Sequence, residues 1–337
     1  MYEQVYGLAE RPFQLTPDAR YWFESRSHKK AMAYLGYGLA QGEGFIVITG
    51  EIGAGKSTLA AHLMATIDRE RLNAISLVST QVEGDDMLRL AAQGLGLETG
   101  GVMKAQLLDR IEQRLREEAG RGKRTLLIVD EAQNLPVSAL EELRMLSNFT
   151  AQGRALIQIF LLGQPEFRDR IASDEGLEQL RQRIIATHHL DAMDAHEVEP
   201  YVVHRLAVAG WQGRPAFEPD AFAALYRHAG GVPRKLNQLA SRLLLYAGVE
   251  QLESIAGADV DAVAADMAAD RPASGSKRVL PLRRPTAVEA EPDPSLERRI
   301  AAIEARIDEQ EAAVRRVLTV LLDWVENESQ PRRSNAA

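Results

Sequence analysis

Five short apolar runs punctuate the first part of the chain, at residues 45–49, 74–79, 125–129, 156–162 and, more weakly, 184–190. They are rich in β-branched residues and bounded by glycine or charge, which is the pattern of strands buried on both faces. Apolar positions spaced for a helix lie between them, at 27–41 and 56–69 among others. Strands alternating with helices predict an α/β fold, a parallel sheet sandwiched by helices. From about residue 192 to 267 the strand pattern stops, and helices are expected at 197–209, 219–228 and 232–246. The chain therefore divides into an N-terminal segment (1–44), an α/β core (45–191) and a small all-α lid (192–267).

Residues 268–294 carry several prolines, a Ser274-Gly275-Ser276 stretch and basic pairs, a composition suited to a flexible linker. Beyond it Leu296, Ile300, Ile303, Ile307, Gln310, Val314, Val317, Leu321 and Trp324 alternate spacings of four and three. This heptad seam predicts a C-terminal coiled-coil helix over 295–327 that pairs with itself or with another protein. The simpler alternative is one amphipathic helix folded back onto the body.

Composition narrows the chemistry. The 337 residues include no cysteine, which excludes a disulfide framework, a thiolate metal site and a cysteine nucleophile. A net charge of −8 weighs against nucleic acid as the main partner, although Lys277-Arg278 and Arg283-Arg284 form a local basic patch. No apolar run approaches the roughly 20 residues of a membrane span, and the first residues form no hydrophobic signal core. The expectation is a cytoplasmic protein with no direct membrane insertion, reaching the inner membrane only through a partner.

Two motifs supply the site. Gly50-Glu51-Ile52-Gly53-Ala54-Gly55-Lys56-Ser57 fits G-x-x-x-x-G-K-S, after a predicted strand and at the start of a predicted helix. Its glycines let backbone N–H groups turn inward onto phosphate, and the helix N-terminus adds its dipole. Lys56 is placed for the β- and γ-phosphates, Ser57 for Mg²⁺, and Thr58 beside the same phosphates. The second motif is the strand 125–129 followed by Asp130 and Glu131. Asp130 is expected to hold Mg²⁺. Glu131 is expected to orient and deprotonate a water. Together these imply binding and hydrolysis of ATP with Mg²⁺.

The runs Tyr6-Gly7-Leu8, Pro12-Phe13, Pro17-Asp18 and Ser27-His28 precede the phosphate loop. With Asp130-Glu131-Ala132-Gln133 and Leu161-Leu162-Gly163-Gln164-Pro165-Glu166, they resemble the AAA+ ATPases of the ExeA/GspA type. Phe23-Glu24-Ser25-Arg26 and the stretch 31–44 are most similar to the subfamily associated with exosortase A and PEP-CTERM systems, which accompanies exopolysaccharide loci. The resemblance spans about residues 1–265. It implies a P-loop AAA+ core that self-assembles, with Gln164 at the sensor-1 position. Arg181 or Arg183 would be an arginine finger reaching a neighbouring subunit, and Arg234, in Gly230-Gly231-Val232-Pro233-Arg234, a sensor-2 residue. Phe13 and Tyr21 fall in the segment that packs near the adenine in the family, with core packing the alternative for both. His28 occupies a family position, where helix capping or packing is the plainer role. Secretion-type members continue into a membrane span and a peptidoglycan-binding part, whereas here a linker and heptads follow the lid.

Three functions remain open on the sequence. One is an assembly or regulatory ATPase of an envelope polysaccharide, protein-sorting or secretion system. Another is a DNA-associated ATPase of the TniB transposition-helper type. The third is a nucleotide-gated scaffold working through its C-terminal helix. No aromatic–hydrophobic–glycine pore loop precedes Asp130, so peptide threading finds no support.

Overall fold

A computed structural model of the chain describes residues 2–270 apart from Glu43 and residues 79–81. The described residues all belong to one compact unit. The reading of a linker and a coiled-coil helix beyond residue 270 lies outside them. Two helices open the unit, the short α1 (Tyr2–Tyr6) and the longer α2 (Arg26–Gln41). Ser25 caps α2 by accepting the His28 N–H, so the helix starts one residue ahead of the sequence expectation.

The α/β core then runs β1 (Phe45–Gly50), α3 (Lys56–Thr66), β2 (Leu72–Val78), α4 (Gly84–Gly94), α5 (Lys104–Gly120), β3 (Arg124–Asp130) and α6 (Val137–Leu146). A two-residue hairpin follows, β4 (Thr150–Ala151) and β5 (Arg154–Ala155). It leads into β6 (Ile157–Gly163), α7 (Pro165–Ser173), α8 (Glu178–Arg181) and β7 (Ile184–Leu190). The five long strands form one sheet in the order β2-β3-β6-β1-β7, with every neighbouring pair parallel.

The apolar runs are strands because each must feed two cores. Successive side chains of a strand point to opposite faces. Phe45 and Val47 of β1, Leu127 and Val129 of β3, and Ile159 and Leu161 of β6 enter the cluster beneath α4, α5 and α6. Their alternates Ile46, Ile48, Leu126, Ile128, Phe160 and Leu162 enter the other, against α2 and α3. Continuous apolar sequence follows from burial on both sides.

The lid comprises α9 (Ala195–Val208), α10 (Pro219–Ala229), α11 (Pro233–Glu250) and α12 (Gly257–Ala269). Proline stands at the first turn of α10 and α11, and Gly230 ends α10 in the left-handed conformation. Three sequence expectations need correction here. The lid is not wholly helical, because β8 (Ala216–Phe217) pairs in parallel with β9 (Ser254–Ile255). Helix α12 runs past 267, through the first residues assigned to the linker. The N-terminal segment is also divided. Tyr2, Tyr6, Leu8 and Phe13 are buried in the lid core, and the α/β core receives the chain only from about Trp22 onward. Aromatic residues near a terminus announce burial without saying in which core. Among the described residues no helix is long and apolar enough to cross a membrane.

Candidate nucleotide-binding site

The C-terminal ends of β1, β3 and β6 lie side by side in the middle of the sheet. Loops leaving such ends form the crevice where ligands of open α/β sheets sit. Three sequence-predicted groups arrive there together: the loop 50–55, the Asp130-Glu131 pair and Gln164.

The first loop curls because Gly53 and Gly55 adopt φ of +87° and +100°, a region that favours glycine. A Cβ on Gly55 would come within 2.7 Å of the His28 ring. Lys56 follows as the first residue of α3 and is 6% exposed. Its Nζ donates to the carbonyls of Gly50 (2.6 Å) and Glu51 (3.1 Å), so the side chain wraps back along its own loop. Burial pushes the Lys56 ammonium below its usual value, and the carboxylates of Glu131 and Asp130 pull it back up.

Ser57 connects the two motifs. Its hydroxyl donates to Asp130 Oδ2 at 2.6 Å, while Asp130 Oδ1 accepts the Glu131 N–H at 2.9 Å. A hydroxyl and a buried carboxylate oxygen converging at one point are hard oxygen donors, a set that fits Mg²⁺. Glu131 itself has φ +55°, a left-handed conformation uncommon for a residue with a side chain. Its Oε2 accepts from Gln133 Nε2 (2.5 Å) and from Gln164 Nε2 (3.4 Å).

Most of these groups line one cavity of about 370 Å³, within the ~300–1,000 Å³ of small-molecule sites. Ile52, Gly53, Gly55, Lys56, Ser57, Thr58, Glu131 and Gln164 contribute from the core, and Arg234 from the first turn of α11. The Arg234 N–H donates to the Gly53 carbonyl at 3.1 Å, tying lid to phosphate loop. Gly50, Glu51, Ala54 and Asp130 support the loop and strand ends without lining the cavity.

Arg181 and Arg183 stand elsewhere. Arg181 donates to the carbonyls of Ile171 (3.1 Å) and Ala172 (2.7 Å) at the end of α7 and pairs with Glu178. Arg183 donates to Ser147 Oγ at 3.3 Å. Neither lines the cavity of its own chain. Phe13 is in the lid core, whereas Tyr21 reaches the cavity wall.

The opposite wall was not legible as a site. Trp22 stacks on His62 of α3 with centroids 4.2 Å apart and planes 5° from parallel. Its edge meets His28 at 5.0 Å. On the lid side, Tyr201 donates to Asn237 Oδ1 (2.7 Å), and the buried Arg205 donates to the carbonyls of Pro12 (2.6 Å) and Gln14 (3.2 Å). The Arg205 guanidinium also lies 4.6 Å from the Tyr21 ring centroid. Aromatic crowding between residues 13 and 23 was the one signal for this wall. His28 packs, buried, at the cavity wall with Nδ1 2.7 Å from Ser25 Oγ, and the helix cap expected of it is supplied by Ser25. Burial lowers His28 to about 4, against smaller upward pulls from the Gly55 backbone and Glu197.

An AAA domain family matches residues 39–171 of the chain. General secretion pathway protein A of Aeromonas hydrophila is 36% identical over 272 residues, covering 80% of this chain and 49% of that protein. The chain thus spans about half the length of the curated relative it matches. Among solved structures, the Aeropyrum pernix ORC2 protein in its ADP form is similar with a TM-score of 0.57 at 17% identity, covering 76% of this chain and 72% of that one. Cdc6p from Pyrobaculum aerophilum gives a TM-score of 0.59 at 15% identity, covering 76% and 70%. The likeness to these two structures is one of fold.

Proposed function

From an AAA-type P-loop fold as the premise, we propose that this chain is a Mg²⁺-dependent ATPase that switches the assembly of a cell-envelope machine. The observation that carries the catalytic part is the Ser57–Asp130 bond at 2.6 Å, with Glu131 and Gln164 meeting beside it. It joins the two motifs at the point where phosphate and metal would lie.

In this reading the N–H groups of the loop 50–55 and the α3 N-terminus bind the phosphates. Lys56 exchanges its bonds to Gly50 and Glu51 for phosphate oxygens. Ser57 and Asp130 would hold Mg²⁺, which would neutralise charge on the phosphate oxygens. Glu131 orients the attacking water and takes its proton on the carboxylate. Gln164 hydrogen-bonds the γ-phosphate or the water, and Arg234 carries the phosphate state to the lid through α11. A finger, Arg181 or Arg183, would come from a neighbouring copy, which requires leaving its present partners.

The envelope role rests on the similarity to general secretion pathway protein A. We extend it to an exopolysaccharide or protein-sorting system on the finer sequence resemblance. The protein would act on the cytoplasmic side, held at the membrane by a partner of its C-terminal heptad segment. Phosphate release from ATP, with and without Mg²⁺, tests the enzymatic reading. Turnover abolished by EDTA is expected, and no release with ATP bound contradicts it.

A further inference from the structure

One polar side chain at the site has no role in the scheme above. Gln133 lies in the single turn Ala132–Asn134 that follows Glu131. Its amide spans two loops. Nε2 donates to Glu131 Oε2 at 2.5 Å, and Oε1 accepts the backbone N–H of Gln164 at 3.1 Å. A carboxylate only accepts and a backbone N–H only donates, so the chemistry of the two partners fixes the orientation of this amide. Gln164 Nε2 reaches the same Glu131 oxygen at 3.4 Å and closes a ring of three groups. Both donors fall on Oε2 of Glu131.

The backbone of this turn is held independently of the Gln133 side chain. Arg170 Nη1 donates to the Leu135 carbonyl (2.6 Å) and, at 3.5 Å, to that of Gln133. Asn134 N–H returns to the Glu131 carbonyl at 3.0 Å, and Ala132 is fully buried. Truncating the Gln133 side chain removes the bridge and leaves the turn.

We propose that Gln133 is a positioning residue that clamps the Glu131 carboxylate and couples it to the Gln164 loop, so that the base is aimed only when that loop is in place. The proposal rests on the reading of Glu131 as the group that activates water. Glu131 stands in a left-handed conformation with its own N–H taken by Asp130, so side-chain hydrogen bonds are what set its rotamer. Charge-assisted bonds of this kind are the strong ones.

The two ends of the bridge can be cut separately. Gln133→Ala removes both bonds. Gln133→Glu keeps an acceptor for the Gln164 N–H and sets a carboxylate against Glu131. Steady-state ATP hydrolysis is expected to show kcat lowered about 10- to 100-fold in both variants, with KM within about twofold of wild type. Hydrogen exchange by mass spectrometry, without nucleotide, supplies a readout that needs no turnover. The Gln164 amide, which Pro165 leaves without a neighbouring N–H on its C-terminal side, is expected to exchange faster in Gln133→Ala and at the wild-type rate in Gln133→Glu. Unchanged exchange in Gln133→Ala overturns the clamp, and so does a kcat within twofold of wild type in an active enzyme. A wild type that never turns over contradicts the ATPase reading, and the exchange arm still decides the clamp.

Discussion

His28 shows how a residue outside the reaction can support the phosphate loop. It is buried with Nδ1 on Ser25 Oγ, and its ring fills the space that a side chain on Gly55 would need. Burial holds it neutral down to about pH 4, whereas in the unfolded chain it titrates near 6.5. The unfolded state therefore binds the extra proton between those values, so stability is lost as pH falls from about 6.5 to 4 and is full above. The loss amounts to about 3 kcal/mol at its limit. Urea denaturation of wild type and His28→Gln across that window checks it, with a flatter profile expected for the variant. Lys56 carries a different prediction. Lys56→Ala is expected to weaken nucleotide binding at least about tenfold while leaving the fold intact, since its present partners are only carbonyls of its own loop. Equal binding of a fluorescent nucleotide by both proteins would count against its phosphate role. Lys56, Asp130 and Glu131 were legible because their spacing against the chain is fixed by covalent loops. Trp22 and Arg205 were not, because their partners His62, Pro12 and Gln14 lie about 40 to 190 residues away along the chain.

At the scale of elements, the joint between lid and core is the part that must fit closely. Gly231 has φ +71°, and a Cβ there would lie 2.0 Å from the Met193 carbonyl oxygen. The same two residues share a hydrogen bond, Met193 N–H to the Gly231 carbonyl at 3.0 Å. Gly231→Ala combines backbone strain with a clash against backbone and is expected to cost about 3 kcal/mol. Thermal melting measures this, and a change below about 0.5 kcal/mol would mean that the joint yields. Sequence patterning located β1, β3 and β6 to within a residue or two, because burial on both faces leaves an unbroken apolar run; the edge strand β7, mostly half-buried, gave the weaker signal. Patterning overextended α3, which stops at Thr66 before a turn in which Asp68 accepts from Arg71 and Leu72. It also missed the two-residue pair β8–β9, which is too short to impose any period. Which core the N-terminal segment 1–44 would join was not legible for a related reason: Tyr2, Tyr6 and Phe13, buried in the lid core, are apolar enough for any core.

At the scale of the whole molecule, the cavity has walls from three parts of the chain: the sheet ends, the lid, and the strap of residues 15–28 that passes between them. A ligand that fills it touches all three, which is how nucleotide state can set the posture of the lid. Among the described residues, every one that lines the cavity lies before residue 238. A chain ending at Asp270 is therefore expected to bind nucleotide within about twofold of full length, since the truncation removes none of these lining residues. A large loss would assign part of the site to the segment beyond. Assembly is the remaining requirement of the account: neither Arg181 nor Arg183 lines the cavity of its own chain, and the proposed finger role calls for a neighbouring copy. The decisive measurement is Mg²⁺-dependent ATP hydrolysis together with native mass, for wild type and Glu131→Gln. The account predicts turnover by wild type, turnover reduced at least about 100-fold in the variant, and a larger ATP-bound assembly of the variant that persists because it cannot hydrolyse. A wild type that binds ATP yet stays monomeric and inactive would contradict it.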